Sequence, residues 1–230
     1  RSVVRAADRV TVVSEAMAAH YRARYPEIDP SRFVFLPNGF DSDDWRRAES
    51  AESAESAATV KGAPPGADVL RDPADGGRFV LLHAGQLAHR PTVRTLLEAV
   101  RRVITDDGAA RRDLRVRFLG GNEELSERER RRYGLGEVLE FVPSRPHIEA
   151  LRCMRHAAAL ALLGHGGQAD SLLYTGKIYE YLSSGRPVLG IVDEGPGASL
   201  IREANAGPVL RPGNVEGVAR SLAGWLAAWR

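Results

Sequence analysis

From residue 79 onward the sequence alternates short apolar runs with stretches of helical spacing, and no other feature restricts the fold as much. Runs over 79–83, 114–119, 138–142, 157–163, 188–192 and 208–210 have the length and composition of buried strands. Between them, 93–104, 123–132, 147–155, a short segment near Lys177 and 198–204 carry a helical period, and a last helix begins at 215. Repeated strand–helix units predict an α/β fold with a doubly wound parallel sheet, Rossmann-like, joined by right-handed crossovers. In such a sheet a ligand sits beyond the carboxyl ends of the strands, so the loops after each run are where chemistry belongs.

The chain ahead of this region is of two kinds. Residues 1–45 hold a strand over 8–13, a helix opened by Ser14 and Glu15 and running to 24, a strand over 32–36, and the turn Pro37-Asn38-Gly39. Two strands and one helix cannot bury both faces of a parallel sheet, so this unit needs a neighbour and reads as the end of another domain. Residues 46–78 contain three Ala-Glu-Ser triplets and then Gly-, Pro- and Asp-rich sequence. Lacking large apolar residues, they read as a low-complexity insertion or flexible linker, with a short helix allowed across the triplets. Residues 79–230 form the main domain. The absence of an initial Met suggests a fragment or a processed chain.

A net charge of +2 gives no strong field, so nucleic acid is not indicated as a partner. The longest apolar run, 157–163, is too short for a transmembrane segment, and no secretory signal is visible. A single cysteine, Cys153, excludes an internal disulfide and a multi-cysteine metal site, and fits a cytoplasmic protein. The run ending AGQLAHR lacks the spaced glycines of a dinucleotide fingerprint, and neither a phosphate-binding P-loop nor a G-x-S-x-G elbow occurs. His83, at a strand end, reads as a packed or lining residue, and no metal site is expected.

What remains is the stretch TGKIYEYLSSGRPVLGIV over 175–192. It reads as a short helix entered through Gly176 and ended at Gly185, with Pro187 leading into a buried strand. Lys177 and Glu180 share one face within its first two turns. On spacing alone they describe an exposed ion pair contributing a few tenths of a kcal/mol. Their position suggests more, because an exposed helix start with an added positive charge suits a phosphate. Glu180 could then accept hydrogen bonds from sugar hydroxyls. Strand ends put Gly85, Arg90, Gly120-Gly121, 142–145, 164–170 and 193–197 on the same rim, and Arg90 could grip phosphate oxygens.

Three segments together resemble the GT-B glycosyltransferases, especially the retaining, nucleotide-sugar-dependent type. The strand and helix through Ser14 with FLPNGFDSDDW resemble the close of that family's amino-terminal domain. LLHAGQLAHRP resembles the first strand and phosphate-facing loop of its carboxy-terminal domain, and TGKIYEYLSSGRPVLG its donor-site helix and following strand. The resemblance implies that Glu180 holds the donor ribose, and that Arg90 and Lys177 neutralise the diphosphate leaving group. It further implies that the backbone of Val142, Pro143 and Ser144 meets the base, and that Gly85 and Gly176 let the diphosphate approach. With cationic side chains in that role, neither a metal nor another cofactor is required. The implied partners are a nucleotide-diphosphate sugar, an unidentified acceptor and a missing amino-terminal domain, so a fragment of this kind would bind donor and hardly transfer it. Many retaining members carry a second Glu where this chain has Leu172, with Asp170 nearby as a substitute. A sugar-nucleotide epimerase of the same fold, or a non-catalytic nucleotide-binding module, are the alternative functions.

Overall fold

The computed structural model describes residues 2–58, 77–85, 91–120 and 123–230. It opens with helix α1 (Ser2–Ala6), strand β1 (Val10–Val12), helix α2 (Glu15–Arg24) and strand β2 (Phe33–Phe35). The two strands are parallel, Val10 opposite Phe33. Ser14 caps α2, its Oγ accepting from Met17 N at 3.0 Å and so satisfying one of the free amides of the first turn. Tyr21 stacks on Phe33 at 6.0 Å and on Tyr25 at 6.1 Å, which gives this small unit an aromatic core of its own. Leu36 and Phe40, just past β2, are 61% and 51% exposed.

Helix α3 (Ser42–Ala58) then runs through the Ala-Glu-Ser triplets. The helix allowed across the triplets is present, and it begins ahead of the boundary expected at 46. Asp43 and Asp44 favour the positive end of the helix, and Ala and Glu propagate it. Trp45 and Ala48, three apart, are both buried against the main domain. The rest of the expected linker, 59–76, lies outside the described residues.

The main sheet has six parallel strands. In chain order the elements are β3 (Phe79–Ala84), α4 (Pro91–Asp106), α5 (Ala110–Asp113), β4 (Leu114–Leu119), α6 (Glu123–Tyr133) and β5 (Leu139–Val142). They continue with α7 (His147–His156), β6 (Ala159–Leu163), α8 (Gln168–Leu172), α9 (Lys177–Ser183), β7 (Val188–Ile191), α10 (Pro196–Glu203), β8 (Val209–Leu210) and α11 (Val215–Trp229). The spatial order is β5-β4-β3-β6-β7-β8. The chain thus winds outward from β3 to one edge, crosses back, and winds outward from β6 to the other. The switch point lies between β3 and β6, which pair Leu81 to Ala159.

Alternation along each strand divides the core between two faces. Phe79, Leu81, Val116, Phe118, Ala161 and Ile191 pack under α4 and α11. Leu82, Ala84, Leu119, Leu160, Leu162 and Val188 pack under α7, α9 and α10, joined by Trp45 and Ala48 of α3. Every residue of β3 is buried, as a central strand covered on both faces requires. His83, as expected, packs: its Nδ1 donates to Ala161 O at 2.9 Å.

The amino-terminal unit is docked on the main domain near α8. The Ser14 hydroxyl donates to Leu172 O, and Tyr174 Oη donates to Val13 O at 2.7 Å.

Candidate functional site

At the carboxyl ends of β3, β4 and β5 lies an open cleft of about 550 Å³. Its walls include Gly85, Gly120, Ser144, Arg145, His147, Gly176, Lys177 and Glu180. The strand ends are tied edge to edge, Gly85 N donating to Leu119 O at 2.7 Å and Gly120 N to Val142 O at 2.8 Å. Helix α9 forms the opposite wall. It is fixed to β3 by Tyr181, wholly buried, whose hydroxyl accepts from Ala84 N at 2.8 Å. Burial pushes the Tyr181 phenol well above its ordinary range, so the hydroxyl stays neutral.

Lys177 reaches across this cleft. A Cβ on Gly85 would lie 2.7 Å from Lys177 Cε and 3.1 Å from its Nζ. Gly85 also has φ of +143°, a backbone angle that side chains rarely adopt. Among the described residues no acid pairs with Lys177 or with Arg145, although both line the cleft. The surface ion pair that spacing alone allows between Lys177 and Glu180 is not formed. A cleft at strand carboxyl ends, with uncompensated cations at hand and glycine backbone beneath, suits an anion.

Glu180 is one turn further along α9, with its side chain 26% exposed. His147 Nε2 faces it from α7 at 4.0 Å and lies 3.4 Å from Asp44 Oδ2 on α3. The structure thus brings Gly85, Ser144, Gly176, Lys177 and Glu180 to one cleft. Val142 closes β5 with its carbonyl taken by Gly120, while Pro143 is exposed and carries no N–H. Arg90 lies outside the described residues.

Asp170 does different work from the one its place near Leu172 suggests. It is 6% exposed, and its carboxylate accepts from His165 N at 2.8 Å, Gly166 N at 3.0 Å and Asp193 N at 3.2 Å. These bonds hold together the loops after β6 and β7. The packing is close enough that a Cβ on Gly164 would fall 2.2 Å from Asp170 Oδ2. Asp170 is a brace for the rim.

Sequence reasoning passed over His147, Asp44 and Tyr181 as site elements. Tyr181 sits in the motif beside Glu180, yet its partner is 97 positions away, and nothing local signals that contact.

An open parallel sheet with a cleft at its strand ends has the Rossmann-like form of one half of a GT-B fold. Residues 78–228 match the family described as glycosyl transferases group 1, well over half of the chain, and the chain belongs to that family. No curated protein matches the sequence. Among solved structures it is similar to WaaG, a glycosyltransferase involved in lipopolysaccharide biosynthesis, at 18% identity and a TM-score of 0.70 over 96% of this chain and 56% of that one. It is also similar to an alpha,alpha-trehalose-phosphate synthase (UDP-forming) from Burkholderia vietnamiensis, at 16% identity and a TM-score of 0.68 over 97% of this chain and 53% of that one. HepE from Anabaena, solved in complex with UDP, aligns at 19% identity and a TM-score of 0.65 over 98% of this chain and 55% of that one. The chain therefore spans about half the length of these proteins. Among the described residues no helix is long and apolar enough to cross a membrane.

Proposed function

We propose that this chain is the donor-binding half of a glycosyltransferase that uses a nucleotide-diphosphate sugar, with UDP as the nucleotide. The observation that carries this reading is Lys177, extended over the Gly85 backbone at the carboxyl end of β3 with no acid beside it. In this reading Lys177, with Arg90 and Gly85, takes the diphosphate. Glu180, one helical turn away, takes the ribose hydroxyls, Gly176 admits the phosphates to the start of α9, and Ser144 lies toward the base. Lys177 would then stabilise the negative charge that gathers on the departing diphosphate as the sugar leaves. UDP is favoured because HepE has been solved with UDP and with UDP-glucose.

The acceptor belongs to the other half. The exposed Leu36 and Phe40 beside the two-stranded β1–β2 sheet mark where further structure of an amino-terminal domain would pack. Alone, this chain binds donor and transfers little. We place the protein in the cytoplasm on the strength of its single cysteine.

Calorimetry with UDP, UDP-glucose, GDP, dTDP and uridine tests the reading. UDP should bind saturably. Lys177→Ala should cost UDP about 1.5–3 kcal/mol, the range for a charge-assisted contact, and leave uridine nearly unchanged. Glu180→Ala should weaken both. A folded sample that binds none of the nucleotides would overturn the donor site, and equal losses of UDP and uridine on Lys177→Ala would remove the lysine from the diphosphate.

A further inference from the structure

Helix α9 is gripped from two sides, and only one grip belongs to the sheet. Tyr181 ties it to the end of β3. Tyr179, two residues earlier, meets Tyr174, their hydroxyls 2.7 Å apart and their rings edge to face with centroids 5.7 Å apart. Tyr174 Oη in turn lies 2.7 Å from Val13 O. A carbonyl can only accept, so the one Tyr174 hydroxyl proton is used there, and the bond between the two tyrosines must be donated by Tyr179. The direction is therefore fixed: Tyr179 O–H donates to Tyr174 Oη, and Tyr174 O–H donates to the main chain of the amino-terminal unit. Burial and the bond from Tyr179 push the Tyr174 phenol well above its ordinary range, so its proton stays in place.

Both ends of this chain of hydroxyls are anchored. Tyr174 packs against α10, where a Cβ on Gly197 would lie 3.3 Å from the Tyr174 Cβ. Val13 sits between β1 and α2, next to Ser14, which caps α2 and donates to Leu172 O. At the other end Tyr179 stands in α9 between Lys177 and Glu180, and those two residues line the cleft. Two hydrogen bonds thus join the wall of the cleft to the β1–α2 turn. Hydrogen bonds in series polarise one another, so the loss of either weakens the other.

We propose that the chain from Tyr179 through Tyr174 to Val13 couples donor occupancy to the seating of the amino-terminal unit. This rests on the reading of Lys177 and Glu180 as donor ligands. Both tyrosines are positioning residues, acting through α9 and touching no donor atom. A nucleotide held by Lys177 and Glu180 restricts α9, and a restricted α9 keeps the Tyr179 hydroxyl on Tyr174. The reverse follows by linkage: an amino-terminal unit firmly seated at Val13 presents α9 already ordered for the nucleotide. A filled donor cleft thereby steadies the half to which the acceptor is assigned.

Hydrogen–deuterium exchange of the 230-residue chain, with and without saturating UDP, tests the coupling. In the parent, UDP should slow exchange at 177–181 and also over 12–18, where Met17 N and Ala18 N bond to Ser14. The slowing over 12–18 should exceed that in α11, which reports the general stabilisation any ligand gives. Tyr179→Phe removes the donor of the first bond and leaves Tyr174 on Val13. It should weaken UDP about three- to tenfold, the range for one hydrogen bond. At saturating UDP it should keep the slowing at 177–181 and lose the excess over 12–18. Tyr174→Phe, which removes the middle hydroxyl, should lose the same excess, and adding Tyr179→Phe to it should not weaken UDP further. An excess over 12–18 that survives in Tyr179→Phe, or that is missing from a parent with slowed exchange at 177–181, overturns the coupling and leaves the donor site standing. A parent that binds no UDP overturns the donor site, and the coupling with it.

Discussion

A hydroxyl bonded to a main-chain amide sets the floor of the cleft. Ala84 N–H would otherwise end β3 unpaired in a buried site, and Tyr181 Oη is its partner. Tyr181→Phe should therefore destabilise the fold by about 1–3 kcal/mol in urea denaturation, the usual cost of an orphaned buried donor. It should also weaken UDP binding, since Gly85 follows Ala84 directly. A loss below about 0.5 kcal/mol would show that the hydroxyl is dispensable. At this scale Lys177 and Glu180 were legible in the sequence because both lie on one short helix, where spacing specifies the face. Tyr181 was not, because its partner lies 97 positions away along the chain. Asp170 was visible as an acid, but its three main-chain partners arise only when two loops fold together.

Among the elements, α3 shows how little apolar sequence can seat a helix. Its repeats look like spacer because Ala, Glu and Ser offer no large apolar side chain, yet Trp45 and Ala48 near its start are buried. Trp45 is 8% exposed and packs with the α7 and α9 side of the sheet. Trp45→Ala should cost about 3 kcal/mol or more in denaturant titrations. Glu49→Ala, which removes only the ion pair to Arg155, should cost about 1 kcal/mol or less. The reverse ranking would mean that α3 is held by charge. Helix α8 escaped notice for another reason, since five residues are too few to display a period. The strands of the main sheet, by contrast, were legible almost to the residue: 114–119 is β4. Short runs that are apolar or alternate, most of them closed by a glycine or proline, leave little choice of register or length.

For the molecule as a whole, the alternation of strands and helices was enough to predict the sheet and the rim where a ligand belongs. It could not show which loops meet, nor that α11 is fastened back on the start of the sheet. Arg230 closes that connection, bonding Asp107 at 2.7 Å and Asp113 at 2.9 Å. The hydrogen bond from Arg230 holds the Asp107 carboxyl below its ordinary range. An acid with a depressed folded-state pKa stabilises the fold above its unfolded value and loses that contribution as the pH falls through the folded one. Asp107→Asn should thus lower the thermal midpoint slightly at neutral pH, and the gap to the parent should close as the pH drops below about 4. A gap that stays constant into acid would mean that the pair is not ionic in origin.

The grip of the amino-terminal unit on the main domain has a consequence in time. Ser14 and its acceptor at Leu172 are 158 positions apart. On a ribosome, Ser14 and the two-stranded unit around it emerge ahead of the carbonyl it holds, which appears only after four strands of the large sheet have been made. The segment connecting α8 to α9, which carries Tyr174 and leads into Lys177, can be clasped only then. The strand pair β1–β2 thus waits for residues made well after it, and the lip of the cleft is completed only when both are present.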